Sequence, residues 1–156
     1  MNRKCLLLTL FLLGFIISGY SQDKLFDKFA HKNEVTSISV SKFLLKMIPD
    51  FDKQGIYISK VSDKIESAQM LYTSDKSLAK RMKKQTNKYA TNKDYEAVFN
   101  RTHDTFSPST FIKKDPDNKQ YIDQTILFFD KGNHFFLIRI DGDNLTLEDV
   151  KNLLNK

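Results

Sequence analysis

The chain has 156 residues and a formal charge of +6, from 25 Lys and Arg against 19 Asp and Glu. This excess of basic residues is too small to indicate nucleic-acid binding, which requires a dense basic surface. The sequence also contains one cysteine and only five glycines. A single cysteine forms no internal disulfide. Beyond residue 21 the glycines are Gly55, Gly132 and Gly142, and this spacing excludes the loops that cradle phosphate through several backbone N–H groups.

The first residues have the pattern of a secretory signal peptide. Two basic residues precede an apolar run over Leu6–Ile17, and no acidic residue lies among the first 22. This run has 12 residues, whereas a helix needs ~20 to cross a bilayer. Gly19 and Ser21 are the small residues that a cleavage site requires. We therefore predict that residues 1–21 are removed and that the cut precedes Gln22.

The remaining chain, residues 22–156, is predicted to be one exported domain, in the periplasm or outside the cell. Cys5 precedes the apolar run, so it leaves with the signal peptide and is not expected to carry a lipid anchor. The mature chain then has no cysteine, and its formal charge falls from +6 to +4. The alternative is an uncleaved membrane anchor, which the shortness of the run disfavours.

The first part of this domain alternates helices and strands. A short helix is predicted to begin near Asp23, and β-branched residues make Val35–Val40 a predicted strand. A second helix is predicted over Lys42–Ile48 and ends there because Pro49 lacks a backbone N–H. Its predicted buried residues are Phe43, Leu44, Met47 and Ile48. The next stretch, Phe51–Lys64, is predicted to be loop, with a brief strand at Ile56, Tyr57 and Ile58 as the alternative.

The longest predicted helix follows a predicted strand, Ile65–Thr73. It begins at Ser74 or Asp75, runs to about Ala90, and buries a stripe with a period of ~100° per residue. That stripe is Leu78, Met82, Gln85 and Tyr89. The opposite side carries the predicted anion-binding residues Lys76, Lys80, Lys83, Lys84 and Lys88, with Arg81 at its edge. These lysines are either a solvated surface or a site for lipid headgroups, acidic glycans or an acidic partner.

The last part of the chain favours strands. Two strands are predicted over Tyr95–Thr102 and Thr110–Lys114, and a hairpin over Thr125–Phe129 and His134–Ile140. Thr146 and Asp149 have the spacing of a capping box, which opens a C-terminal helix. The predicted buried residues of that helix are Leu147, Val150, Leu153 and Leu154. Strands in succession indicate an α+β fold, with a mainly antiparallel sheet of five to six strands and helices packed on it.

The predicted hairpin is apolar on both sides. Alternation places Ile126 and Phe128 on one face of the sheet, and it places a second set of apolar side chains on the other face. Helices cover both faces, or one face is exposed and binds a partner, a lipid or a second copy of the chain. The predicted apolar interaction face consists of Leu127, Phe129, Phe136 and Ile138.

Three segments resemble a family of small exported proteins that is common in Bacteroidetes and is known only as a domain of unknown function. They are "LFDKFAHKNEVTSISVSKFLLKMIP" (25–49), "SAQMLYTSDKSLAKRMKK" (67–84) and "DGDNLTLEDVKNLL" (141–154). The resemblance covers nearly all of residues 22–156 and implies an exported α+β domain. It implies no activity, and therefore no functional residue can be carried over to this chain.

The sequence predicts no catalytic residue, no metal ligand and no cofactor. His31, His103 and His134 are scattered, and none has the spacing of a metal site. Residues 141–149 resemble a calcium loop, but apolar and non-acidic residues occupy ligand positions. We therefore expect a non-enzymatic binding module of the cell envelope that contacts an envelope protein or an anionic surface, with no membrane span and with self-association possible. The alternative is a small envelope hydrolase with carboxylates or histidines in a cleft.

Overall fold

The computed structural model describes residues 24–47, 56–98 and 108–154. The predicted signal peptide 1–21, its cut before Gln22 and Cys5 all lie outside these residues. So do Ile48 and Pro49 at the predicted end of the second helix, and so does His103. These predictions stay predictions.

Six strands form one antiparallel sheet in the order β1-β2-β6-β5-β4-β3. The predicted hairpin, β5 and β6, lies at the centre of the sheet, and its strands are longer than the sequence predicted. The strands are Thr36–Ser41 (β1), Ile65–Thr73 (β2), Glu96–Val98 (β3), Ser109–Lys114 (β4), Ile122–Asp130 (β5) and Phe135–Leu145 (β6).

Four α-helices and two 3₁₀ helices accompany the sheet within the described residues. The α-helices are Lys24–Ala30 (α1), Lys42–Met47 (α2), Lys76–Thr86 (α3) and Leu147–Leu154 (α4). The 3₁₀ helices are Ile58–Lys64 and Asn87–Thr91. The prediction of a single α+β domain with five to six antiparallel strands is confirmed.

Helices pack on both faces of the sheet, because its central strands are apolar on both sides. On the α1–α3 face, side chains of α1 and α3 cover Leu71, Phe128 and Leu137. On the α2–α4 face, the first 3₁₀ helix and α4 pack over Ile140 and its neighbours. The alternation predicted for the hairpin is confirmed, since Ile126 lies in the core of the first face and Leu127 in that of the second.

Local hydrogen bonds explain where two of the helices begin. The Asp75 side chain accepts a hydrogen bond from the Leu78 backbone N–H at 2.5 Å and caps α3. The Asp149 carboxylate accepts from the Thr146 backbone N–H at 2.8 Å, and the Asp149 N–H donates to the Thr146 hydroxyl at 3.3 Å. This reciprocal pair is the predicted capping box, which is confirmed at the start of α4.

Two predictions about buried residues are wrong. Phe43 is 71% exposed and Leu44 is 42% exposed, whereas Leu45 is buried. The helix α2 begins directly after β1, so the end of β1 fixes the side that α2 turns toward the sheet. Leu147 is also exposed, at 42%, because the core contacts of α4 are made through Val150 and Leu153.

The stretch predicted as loop contains the first 3₁₀ helix, which buries Ile58 and Val61. Its backbone is tied to α4, because the Tyr57 N–H donates to the Leu153 carbonyl at 2.8 Å. Three residues per turn place Ile58 and Val61 on the same side of this helix. That period differs from the patterns of α-helices and strands, and this explains why the segment escaped prediction.

Candidate anion-binding groove

The helices α1 and α3 lie next to each other on one face of the sheet. Phe26 and Phe29 anchor α1 and are 0% and 2% exposed. Leu78 and Met82 anchor α3 and are 3% and 0% exposed. Because each helix buries its apolar side, the polar sides of both helices face solvent beside each other.

A groove runs between these two helices, and two adjoining cavities of about 320 Å³ and 380 Å³ form it. The cavities share Lys28, Gln85 and Lys88, and they are therefore parts of one depression. We call this depression the cationic groove. Its lining residues are Lys24, Leu25, Lys28, Phe29, Lys32, Arg81, Lys84, Gln85, Lys88, Tyr89 and Asn92.

Six of these residues are cations, and none of the described lining residues is acidic. Lys24 and Lys28 lie one turn apart on α1, which places them on one side, and Lys32 follows just after the end of the helix and lines the same groove. Arg81, Lys84 and Lys88 follow a similar helical spacing on the other wall. Throughout the described part of the chain, no carboxylate lies within ion-pair distance of these six cations.

The base of the groove is partly apolar and is held firmly. Leu25 and Phe29 are buried there. The Tyr89 ring is half-buried, packs edge-on against Tyr95 at 4.4 Å between centroids, and lies 6.2 Å from the ring of Phe111. Such packing fixes the ring without using the charged side chains above it. The groove therefore offers an aromatic surface, two amide side chains and a ring of positive charge.

All five lysines predicted to bind anions are exposed. Lys84 and Lys88 line the groove, whereas the other three lie elsewhere on α3 and do not line it. The sequence pattern missed the wall formed by Lys24, Lys28 and Lys32. Their regular spacing was visible, but only the packing of α1 beside α3 brings the two cationic rows together.

The four residues of the predicted apolar interaction face lie in the core of the α2–α4 face. Leu127, Phe129, Phe136 and Ile138 are 0%, 4%, 8% and 3% exposed, respectively. The structure thus matches the alternative in which this face is covered. Near the hairpin turn, the Lys131 ammonium lies 5.9 Å and 6.0 Å from the ring centroids of Phe129 and Phe136.

A row of polar side chains lies on the α1–α3 face of the sheet. The Asp141 carboxylate accepts hydrogen bonds from the Ser67 hydroxyl at 2.7 Å and from the Gln124 amide at 3.0 Å. The Arg139 Nε also lies 3.3 Å from it, and the Tyr95 hydroxyl donates to Gln124 at 2.5 Å. Because these neighbours occupy the carboxylate, the row ties adjacent strands together.

The two described histidines lie apart from this row. His31 and His134 are both exposed. His134 Nδ1 lies 2.7 Å from the Tyr72 hydroxyl, and the two rings stack at 5.8 Å. Among the residues that the structure describes, no three His, Cys, Asp or Glu side chains are grouped in a way that would hold a metal ion. In the same residues, no helix has the length and apolar character needed to span a membrane.

The architecture and the groove together define a small α+β domain with an antiparallel sheet and a cationic groove between two helices of one face. The chain belongs to the family described as "Domain of unknown function (DUF4252)", which matches residues 28–153. The predicted membership of a family of unknown function is thereby confirmed. No curated protein and no solved structure matches the chain.

Proposed function

We propose that the protein is an exported, non-enzymatic binding module of the cell envelope, and that its cationic groove binds an acidic polysaccharide. The observation that carries this proposal is the lining itself, with six cations and no carboxylate around a depression of several hundred Å³. Export follows from the signal-peptide pattern of residues 1–21.

Electrostatics favours an anionic ligand. A cleft that is lined by charge of one sign concentrates the field and raises the local concentration of counter-ions. Lys28 and Lys88 face the same depression from different helices, so their charges repel each other until an anion lies between them. A bound anion therefore supplies the negative charge that the described groove residues lack.

The shape and the chemistry of the groove favour an acidic sugar chain over a flat lipid surface. A concave groove between helices encloses a narrow chain, whereas a bilayer contacts protruding side chains. Tyr89 presents an aromatic surface, and Gln85 and Asn92 present amides that donate and accept hydrogen bonds. These groups suit the hydroxyls and the ring faces of a sugar, and the surrounding lysines suit its carboxylates.

The proposal is tested with polygalacturonate, a linear polysaccharide that carries a carboxylate on each sugar, by isothermal titration calorimetry at low salt. Each exposed charge contact contributes about 0.5–1 kcal/mol. The double variant Lys28→Gln with Lys88→Gln is therefore expected to bind about five- to thirtyfold more weakly. Added salt is expected to weaken the binding of the unaltered protein.

The matched control is the double variant Lys76→Gln with Lys83→Gln. It removes the same number of charges, both from α3, but neither residue lines the groove. We expect this control to retain most of the affinity. Equal losses in both double variants would show diffuse attraction by net charge and would contradict a groove site. Binding to phosphatidylglycerol vesicles without binding to the polysaccharide would contradict the choice of ligand.

A further inference from the structure

The two cavities of the cationic groove differ in their chemistry. The residues that line only the smaller cavity, which we call the ring end, are Lys24, Leu25, Tyr89 and Asn92. The residues that line only the larger cavity, which we call the cation end, are Phe29, Lys32, Arg81 and Lys84. Lys28, Gln85 and Lys88 line both cavities and join them. An elongated ligand therefore meets different groups at the two ends of the groove.

The ring end presents an aromatic ring that is held in place. The Tyr89 ring packs against Tyr95 at 4.4 Å between centroids, and the Tyr95 hydroxyl donates to Gln124 at 2.5 Å. Asn92 is fixed beside this ring, because its backbone N–H donates to the Tyr89 carbonyl at 3.2 Å. Among the described residues that line this end alone, Lys24 is the one that carries a charge. A fixed ring beside an amide suits the apolar face and the hydroxyls of a sugar.

The cation end concentrates positive charge. Three of the four residues that line it alone are cations, and the shared Lys28 and Lys88 bring the number of cations around this cavity to five. Lys32 is held just after α1, because its backbone N–H donates to the Phe29 carbonyl at 3.0 Å. Within the described ranges, no carboxylate lies within ion-pair distance of these five cations. The cation end therefore suits a group that carries more than one negative charge.

A phosphate ester is such a group. It carries close to two negative charges at pH 7 and has three strong acceptor oxygens, whereas a carboxylate carries one charge and two oxygens. The planar guanidinium of Arg81 can donate to two phosphate oxygens at once. Lysines around it supply further positive charge without a fixed geometry.

We propose that the cation end binds a phosphate ester and that the ring end binds the sugar that carries it. The ligand of the groove is then a phosphorylated sugar chain that lies in one direction, with its sugar ring on Tyr89 and its phosphate near Arg81. This inference rests on the proposed binding of an acidic polysaccharide and names the acidic group that the groove prefers.

Glucose 6-phosphate and glucuronate test the cation end, because they share a sugar ring and differ in the acidic group at its last carbon. Each is titrated into the isotope-labelled protein, and NMR shifts of the backbone amides give the dissociation constants. One additional charge contact is expected to make glucose 6-phosphate bind about two- to fivefold more tightly than glucuronate. Arg81→Gln with Lys84→Gln is expected to remove this preference. The control, Lys76→Gln with Lys83→Gln, alters α3 outside the groove and is expected to keep it.

Inorganic phosphate, which has no sugar ring, tests the ring end. Tyr89→Leu is expected to weaken the binding of glucose 6-phosphate about two- to tenfold and to leave the binding of inorganic phosphate unchanged. Tyr89→Phe keeps the ring and is expected to keep the affinity. In the unaltered protein, glucose 6-phosphate is expected to shift the amide signals of both ends, and inorganic phosphate only those of the cation end. The amide spectra also verify that each variant is folded.

Equal affinities for glucose 6-phosphate and glucuronate would overturn the inference, and so would a preference that survives Arg81→Gln with Lys84→Gln. Inorganic phosphate that binds as tightly as glucose 6-phosphate would show that the sugar ring adds nothing, and would overturn it as well. If polygalacturonate still binds in calorimetry in these cases, the proposed function stands without the phosphate. The expected preference for glucose 6-phosphate, combined with a failure to bind polygalacturonate, would instead overturn the polysaccharide and keep the phosphate site.

Discussion

The lysines of the cationic groove differ in one respect from the two lysines that tie α4 and α2 to the rest of the domain, which is the presence of a carboxylate partner. Lys64 binds the Asp149 carboxylate at 2.9 Å, and Lys42 binds Asp143. On the α1–α3 face, the lysines of the cationic groove have no such partner within the described residues. The hydrogen bond that Lys64 donates to Asp149 raises the pKa of its ammonium group.

This difference assigns different roles to chemically identical side chains. The paired lysines join the 3₁₀ helix to α4 and α2 to β6, so their charges are used inside the protein. The α1–α3 face is held by large apolar residues such as Phe26 and Met82, and its charges are therefore available to a ligand. This difference is tested by substituting the buried apolar residues and the charged residues separately and by measuring the stability of each variant.

The largest effect is expected for Phe26→Ala on the α1–α3 face. Phe26 is fully buried, and its ring lies 5.4 Å from the Arg139 guanidinium. Truncating a buried phenylalanine costs about 3–5 kcal/mol. Urea denaturation is expected to show this loss, together with weaker binding to polygalacturonate, because α1 forms one wall of the groove. A loss below about 1 kcal/mol would show that apolar packing does not hold this face.

The next largest effect is expected for Gly142→Ala, near the end of β6 that leads to α4. A Cβ atom at position 142 would lie 2.1 Å from the Ile122 carbonyl oxygen and 2.9 Å from the Leu145 Cβ. A backbone atom cannot move aside as a flexible side chain does, and we expect a loss of about 3 kcal/mol.

Gly132→Ala in the hairpin turn is the control for this substitution. Gly132 has φ +78° but has no atom within 4 Å of the added Cβ, and only the backbone strain of about 1 kcal/mol applies. If both variants lose the same stability in urea denaturation, the close approach of the Ile122 carbonyl does not cause the loss in Gly142→Ala.

A smaller loss is expected when the polar support of α4 is removed by Asp149→Ala. The Asp149 carboxylate accepts from the Thr146 hydroxyl at 2.6 Å and from Lys64 at 2.9 Å. Loss of the cap and of these contacts is expected to cost about 1–2 kcal/mol. Glu148→Ala is the control on the same helix, because its carboxylate is 69% exposed and its ion pair contributes at most about 0.5 kcal/mol. If the two variants unfold at the same urea concentration, the Asp149 side chain does not stabilise α4.

Acid pH is expected to weaken the same contacts. Burial raises the pKa of Asp149, but hydrogen bonds from Thr146 and Lys64 outweigh it and hold the pKa below its ordinary value of 3.8. A carboxyl whose pKa is lowered by folding stabilises the protein fully above its unfolded pKa, and this contribution is lost as the pH falls through the folded pKa. At pH 6, the unaltered protein is therefore expected to be more stable to heat than Asp149→Asn. This difference is expected to shrink as the pH falls below 3.8. A difference that stays constant over this range would contradict the ionic role.

The parts of the fold that depend on local sequence were predictable. Ile65–Thr73 was predicted as a strand with the observed boundaries, and the capping box of Thr146 and Asp149 was predicted from its spacing. The hairpin faces were also predicted, because alternation fixes which side chains share a face. In each case the pattern and the structure it specifies lie within one short segment.

The cationic groove was only half predicted, because it depends on contacts between distant segments. Lys84 and Lys88 were found from the helical period predicted to run from Ser74 or Asp75 to about Ala90, but Lys28 belongs to a helix more than fifty residues earlier. No local pattern states that α1 packs beside α3. The exposure of Phe43 escaped prediction for a related reason, since the sheet decides which side of a short helix is buried.

The smallest effect on stability, and the sharpest contrast between the two sets of lysines, is expected for substitutions of lysine by glutamine. Lys28→Gln with Lys88→Gln removes charges without carboxylate partners and is expected to change the free energy of unfolding by less than about 0.5 kcal/mol. Lys64→Gln removes the partner of Asp149 and is expected to lower stability, even though it removes only one charge. Urea denaturation of both variants at low salt measures the contrast. A double variant that loses as much stability as Lys64→Gln would mean that the groove lysines support the fold and are not reserved for a ligand.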